Sequence, residues 1–177
     1  MSVPYFFVDE LTSSVREIEL DEDTSRHIIQ VLRMKEGENV RLADGKGNIG
    51  SAVIATAHKK HAVVQVTSVD TVSQPSPQLC IAISLVKNAS RFEWFLEKAT
   101  EFGAAEIIPL ICERTDRQKF RHDRMLGICK SAMLQSMQSW LPVLHEPVSF
   151  NDVVSNARQR QKMIAHCVKE AKVEFAS

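Results

Sequence analysis

The feature that most constrains the fold is the middle of the chain, residues 87–114, which read KNASRFEWFLEKATEFGAAEIIPLICER. The stretch predicts a helix over residues 90–102, because one apolar face recurs at helical spacing: Phe92, Phe95, Leu96, Ala99 and Phe102. Gly103 is suited to end that helix in a left-handed conformation. An apolar segment, residues 106–112, follows at once and predicts a buried strand. A helix leading directly into a buried strand indicates an α/β domain.

The second half of the chain continues this alternation. In order, the pattern predicts strand 79–86, helix 90–102, strand 106–112, helix 121–139, helix 151–160 and strand 162–167. Strands that alternate with helices pair in parallel through crossover connections. We therefore expect a parallel sheet in this half.

The first half has a different character, with short β-rich segments and one short helix. We predict strands over residues 3–8, 15–20, 39–43, 48–56 and 62–69, and a helix that begins after the capping residues Asp23, Thr24 and Ser25 and ends near Met34. Several short antiparallel strands around one helix indicate a small barrel. The sequence SQPSP at residues 73–77 suits a linker, since it neither pairs nor packs well. We predict a β-barrel domain at 1–72, a linker at 73–77 and an α/β domain at 78–177.

Charge and cysteine content exclude several classes of protein. Lys plus Arg and Asp plus Glu number 22 each, so no global basic field attracts nucleic acid indiscriminately. Residues 1–74 hold 8 basic and 11 acidic side chains, and residues 75–177 hold 14 and 11. The four cysteines are far apart, which favours reduced thiols over a zinc site or a disulfide framework. Without a leader or an apolar run of about 20 residues, we expect a cytoplasmic protein with no membrane partner and no metal.

Candidate binding residues are basic. Five cations fall between residues 114 and 124, in the connection from a strand to the next helix: Arg114, Arg117, Lys119, Arg121 and Arg124. Loops at the carboxyl ends of parallel strands bind ligands, so phosphate contact is one interpretation and an ordinary solvated loop is the other. In the first half, His27 is interpreted as a packed residue, whereas Arg33 and Arg41 suit either RNA or surface ion pairs. The acidic helix face from Glu93 to Glu101 is interpreted as solvated, with little local pairing to Lys98.

Two segments carry a family resemblance: HIIQVLRMKEGENVRLADGKG at residues 27–47 and EKATEFGAAEIIPLICER at residues 97–114. In this order they resemble the 16S ribosomal RNA uridine N3-methyltransferases, and the likeness continues to residues 164–167. It implies a two-domain α+β fold: an N-terminal PUA-like small β-barrel and a C-terminal SPOUT-type methyltransferase domain with a trefoil knot. A homodimer is also implied. Tyr5 and Gln138 stand where relatives commonly have basic residues. The family's glycine-rich GPEGG-like loop and later knot segment are not among these residues, so we expect a partial methyltransferase domain lacking its knot-forming tail.

The resemblance also implies ligands and residue roles. S-adenosylmethionine is the expected cofactor, and 16S rRNA in the small ribosomal subunit is the expected partner. Arg33 and Arg41 would hold RNA on the barrel, and Arg114 and Arg117 would approach phosphate or uridine. Residues 165–166, Ala165 and His166, would form the first edge of the cofactor pocket. No catalytic base is assigned. The alternative is a noncatalytic RNA-binding module.

Overall fold

The computed structural model describes residues 3–113, 115 and 119–165. Within these residues two separate hydrophobic cores form, one in each half of the chain. We call the two halves the β domain and the α/β domain. The bounds predicted for the two domains and the linker stay a prediction.

The β domain is a five-stranded sheet that curls around its core. Its strands are β1 (Tyr5–Phe7), β2 (Glu17–Glu19), β3 (Asn39–Ala43), β4 (Asn48–Thr56) and β5 (Val63–Thr71). They are ordered β1-β3-β4-β5-β2. Three of the pairings are antiparallel, as predicted, but β1 pairs with β3 in parallel. The antiparallel expectation was wrong for β1, because the helix and β2 lie between it and its partner in sequence and no tight turn joins them.

One short helix crosses the core of the β domain. It begins as α1 (Glu22–Arg26), capped by Asp21, and continues into a single π-helical turn, His27–Val31. Ile28 is fully buried in this core. The buried Ser25 hydroxyl donates to the Leu20 carbonyl, just after β2, and accepts from the Ala62 amide, just before β5. These bonds tie the helix to the ends of two paired strands.

The α/β domain has the predicted parallel sheet. It comprises β6 (Cys80–Ser84), α2 (Ala89–Glu101), β7 (Glu106–Ile111), α3 (His122–Gln135), β8 (Val143–Leu144), β9 (Val148–Ser149) and α4 (Phe150–Asn156). β7 pairs in parallel with β6, β8 and β9. The two-residue strands β8 and β9 were not predicted, because such short segments show no periodicity. The predicted helix 151–160 ends at Asn156, and the described residues of the predicted strand 162–167 form no strand.

The apolar face of α2 packs largely as predicted. Phe92, Leu96 and Ala99 are buried against α3 and β7 in one core. Phe102 was predicted to share this core, but its side chain is 86% exposed. The helix ends at Glu101, and Phe102 takes the non-helical cap conformation, which turns it away from the buried face. The expectation for Lys98 was also wrong, since its ammonium lies 3.0 Å from Glu101 and 2.8 Å from Glu97.

Candidate nucleic-acid interface and ligand-binding edge

The carboxyl edge of the parallel sheet carries a small polar cluster. The hydroxyls of Ser84, the last residue of β6, and Thr115 lie 2.9 Å apart. Thr115 also accepts a hydrogen bond of 2.9 Å from the Cys112 amide, just beyond β7. These contacts hold the chain leaving β7 against the end of β6. The sequence analysis did not single out this cluster, although its position after two adjacent parallel strands is where α/β sheets bind ligands.

The basic loop begins at this edge. Arg114 and Arg117 lie outside the described residues, so their predicted RNA contacts stay predictions. Arg121 is exposed and immediately precedes α3. Arg124 lies 2.8 Å from the Glu93 carboxylate on α2, so its charge is shared with a structural ion pair. The five predicted cations therefore do not all have the same role. Arg124 links α2 and α3 through its ion pair with Glu93.

In the β domain, Arg33 occupies an unusual backbone conformation. Its φ angle is 55°, in the left-handed region that residues other than glycine seldom adopt. The side chain is exposed and follows two exposed apolar residues, Val31 and Leu32. No ion pair joins Arg33 to another described residue. Among the described residues, Arg33 is therefore a solvent-exposed cation beside two exposed apolar side chains.

Arg41 has different surroundings. It lies in β3 directly opposite Tyr5 of β1, and its side chain is only partly exposed. The Arg41 Nε atom is buried and has no hydrogen-bond partner in the described structure. Burial raises the pKa of the Tyr5 phenol, and the positive charge of Arg41 opposes that rise. Arg33 and Arg41 therefore belong to one domain but do not have equal access to a ligand.

The predicted cofactor edge is described only in part. Ala165 is exposed, and no backbone hydrogen bond joins it to the rest of the described chain. His166 lies outside the described residues. Met163 and Ile164 were expected inside a buried strand, but they are 56% and 67% exposed. The apolar sequence alone does not form a strand here, because a strand needs a neighbour to satisfy its backbone groups.

The amino edge of the sheet has its own polar group around Glu106. Its carboxylate lies 2.6 Å from His145 Nε2 and beside the Cys80 thiol. Burial, reinforced by hydrogen bonding and charge from Glu106, raises the pKa of Cys80 to about 12. A cavity of about 280 Å³ opens there, lined in part by Gln74, Gln78 and Gln159. The raised pKa keeps the Cys80 thiol protonated near neutral pH, so it does not act as a nucleophile at this edge.

Two further observations concern membrane-spanning helices and metal sites. They include no helix with both the length and the apolar character that crossing a membrane requires. Within the same part of the chain, no three His, Cys, Asp or Glu side chains converge in a way that could hold a metal ion.

Family models match both halves of the chain. The model described as an RNA methyltransferase PUA domain matches residues 20–67, and the model described as an RNA methyltransferase domain matches residues 73–177. These matches define a β domain of the PUA kind joined to an α/β methyltransferase domain, which confirms the predicted fold class. The chain belongs to the RNA methyltransferase family. The trefoil knot and the missing tail stay predictions.

Individual relatives agree with this assignment. A Synechocystis protein named ribosomal RNA small subunit methyltransferase E is 31% identical over 149 residues, which cover 80% of this chain and 47% of the relative. The chain spans about half the length of the curated relatives that it matches.

Solved structures extend the likeness to three dimensions. A Legionella pneumophila structure with the bound cofactor SAM gives a TM-score of 0.82 at 28% identity, covering 97% of this chain and 73% of the other. The structure of the ribosomal RNA small subunit methyltransferase E of Neisseria gonorrhoeae, bound to S-adenosyl methionine, gives a TM-score of 0.78 at 27% identity. The match covers 88% of this chain and 65% of the other.

Proposed function

We propose that this protein methylates N3 of a uridine in 16S rRNA of the small ribosomal subunit, with S-adenosylmethionine as the methyl donor and as part of a homodimer. The observation that carries the proposal is the joint match of both domains to RNA methyltransferase models. Two structural neighbours contain the same donor. The polar carboxyl edge of β6 and β7 is consistent with a ligand site in the α/β domain.

The basic residues are proposed to contact the RNA in different ways. Arg33, exposed and without an ion pair in the described structure, is suited to a phosphate of the backbone. Arg41 is partly buried beside Tyr5, so it contributes positive potential at the sheet surface and reaches a ligand less freely. Arg114 and Arg117 are proposed to contact phosphate or the target uridine at the carboxyl edge.

One described residue of the proposed donor site, Ala165, is exposed. Ala165 makes no backbone hydrogen bond within the described structure, which leaves its amide and carbonyl able to contact a ligand. We assign Ala165 and His166 to the cofactor pocket on this basis and on the family likeness. When bound, S-adenosylmethionine supplies an electrophilic methyl group on a sulfonium.

The protein must prepare the uridine for attack. N3 of a neutral uracil carries a proton and is hidden in a base pair, so the base must be unpaired and must lose that proton. Nearby cations stabilise the negative charge that develops on the base, and the RNA-holding residues orient N3. Arg114 and Arg117 are proposed for the first role, and Arg33 and Arg41 for the second.

Methyl transfer to small-subunit RNA tests the activity directly. The protein is incubated with unmethylated small ribosomal subunits and methyl-labelled donor, and modified positions are mapped by primer extension, which N3-methyluridine stops because it blocks pairing. We expect label at a uridine. Label on another base, or on large-subunit RNA alone, would contradict the proposed substrate.

A noncatalytic RNA-binding role is the second candidate. It is favoured if the protein binds the RNA with a steep salt dependence but transfers no methyl group and shows no affinity for the donor.

Substitution of single arginines identifies the residues that bind RNA. Arg33→Ala and Arg114→Ala should each reduce the salt slope of binding by about 1, whereas Arg26→Ala, whose guanidinium is already paired with Glu22 and Asp23, should not change it.

A further inference from the structure

The two domains are joined by a backbone contact between a turn of the β domain and a segment of the α/β domain. The turn between β3 and β4, residues 44–47, lies against the segment after α3, residues 139–141. The Gly47 amide donates to the Ser139 carbonyl at 2.9 Å, and the Leu141 amide donates to the Gly45 carbonyl at 2.9 Å. These two hydrogen bonds form an antiparallel bridge between Lys46 and Trp140. We call residues 44–47 and 139–141 the interdomain clasp.

Both glycines are required by the closeness of this contact. A β-carbon on Gly47 would lie 2.5 Å from the Trp140 ring, and one on Gly45 would lie 2.7 Å from the Leu141 side chain. Each glycine also has a left-handed φ angle, 93° and 71° respectively. The two glycines therefore have a second role besides reversing the chain. Because they have no side chains, the backbone of the turn can approach the other domain within hydrogen-bond distance.

Buried polar contacts keep the clasp in shape. The Asp44 side chain is 4% exposed and accepts from the Lys46 amide at 2.8 Å and from the Asn48 amide group at 2.7 Å. On the other side, the Trp140 indole donates to the Val72 carbonyl at 3.0 Å. The indole therefore also holds the chain that leaves β5 against the clasp.

The clasp is also connected to the parallel sheet. Residues 139–141 lead directly into β8, which pairs with β7, and the Val143 amide donates to the Ala105 carbonyl at 2.9 Å. Gln138 donates from its side chain to the Glu101 carbonyl at the end of α2. A second contact lies nearby, where the Lys130 ammonium of α3 is 3.8 Å from the centre of the Phe7 ring. The clasp is therefore anchored at the amino end of β7 and at the end of α2.

We propose that the interdomain clasp positions the β domain relative to the parallel sheet, so that RNA held by the β domain meets the carboxyl edge of β6 and β7 in one register. The positioning role rests on the proposed function; the holding role does not. In this proposal Gly45, Gly47 and Trp140 are positioning residues, because they act through the orientation of the domains. A displacement of about 1 Å at a reacting centre can reduce a rate about 100-fold.

The test compares Gly47→Ala with Gly37→Ala. Gly37 has a φ angle of 86°, close to that of Gly47, but a β-carbon there would meet nothing within 4 Å. Both variants carry similar left-handed backbone strain, and only Gly47→Ala brings a β-carbon against the Trp140 ring and the Val72 carbonyl. The chain has two tryptophans, so 5-fluorotryptophan labelling gives two fluorine resonances. Trp140 reports on the clasp, and Trp94, which is 63% exposed on α2, reports that the α/β domain is folded.

We expect Gly47→Ala to shift the Trp140 resonance towards that of exposed indole and to broaden the distribution of interdomain distances in small-angle X-ray scattering. The Trp94 resonance and the Gly37→Ala profile should match wild type. RNA affinity should stay within about twofold, while the kcat for methyl transfer falls at least about tenfold relative to Gly37→Ala. Trp140→Phe, which keeps a ring but loses the bond to Val72, should show the same scattering change to a smaller extent.

Three results would overturn parts of this inference, and each is distinct. An unshifted Trp140 resonance with a wild-type scattering profile in Gly47→Ala would show that the clasp does not hold the domains together. A loosened clasp with an unchanged kcat would remove the positioning role. Absence of methyl transfer by wild type would instead refute the proposed function and with it the positioning role, and the fluorine and scattering measurements would still decide whether the clasp holds the domains.

Discussion

Truncation of Leu96 tests the packing of α2 against the rest of the α/β domain. The Leu96 side chain is fully buried and contacts a core that includes Phe92, Ile107 and Cys129. Leu96→Ala removes three buried carbon atoms and leaves a cavity, because a helix held between α3 and the sheet can collapse only in part. Such changes reduce the free energy of unfolding by about 2–5 kcal/mol. Phe102→Ala removes more carbon but should change it by less than about 0.5 kcal/mol, since that ring is already 86% exposed.

Urea unfolding followed by circular dichroism at the helix minimum measures both variants in the same conditions, and each midpoint is converted to a free energy with the common slope. Phe102→Ala is a matched control, because both residues lie on one predicted apolar face. Leu96 lies inside α2, whereas Phe102 lies just after its last residue. The reasoning would be refuted if Phe102→Ala cost as much as Leu96→Ala. That result would mean that Phe102 packs in solution, against this chain or a second copy of it.

Two further predictions concern ionisable groups. Alkylation of Cys80 by iodoacetamide near pH 8.5 should be roughly 50-fold slower than that of an ordinary thiol, because its pKa is raised to about 12 and the smaller thiolate fraction is only partly offset by the greater nucleophilicity of a more basic thiolate. Mass spectrometry should show Cys112 modified before Cys80, and Glu106→Gln should speed the reaction at Cys80. Asp21→Ala should reduce stability by about 1 kcal/mol at neutral pH, because Asp21 caps α1. Burial raises the pKa of Asp21, but hydrogen bonds from Thr24 outweigh it and the net pKa is lowered. The stabilisation is therefore present above the ordinary carboxyl pKa and lost as pH falls through the lowered value, so the melting temperatures of wild type and variant should converge in acid.

The sequence predicted the elements whose signals are local. β3 and β4 have the predicted bounds, α2 begins and ends one residue earlier than predicted, and β7 ends one residue earlier. These segments combine strong periodicity with clear end signals, such as the Asn88 cap and Gly103 after α2. The partners of the strands were less predictable. The parallel pairing of β1 with β3 depends on contacts between residues 36 positions apart, for which no local pattern exists.

The candidate site was predicted less completely than the fold. Sequence reasoning found the cations, because a run of basic residues is visible in one dimension. It did not separate Arg124, which is engaged by Glu93 from another helix, from Arg33, which has no such partner in the described structure. Whether a cation is available to a ligand is decided by residues that are distant in sequence. The Ser84 and Thr115 pair was missed for the same reason, since 31 positions separate the two hydroxyls.

The segment DGKG shows how one local signal can have two physical causes. Its residues, 44–47, predict a tight turn between two strands, and the structure has that turn. Glycine is favoured there by the left-handed φ angles alone, so the sequence contained no reason to look for a second requirement. The structure adds one, because Trp140 and Leu141 occupy the space that any larger side chain would need. Gly37 also has a left-handed φ angle, but no neighbouring atom lies where its β-carbon would be. The two glycines are therefore equivalent in a sequence-based prediction, and only Gly47 is expected to couple the domains.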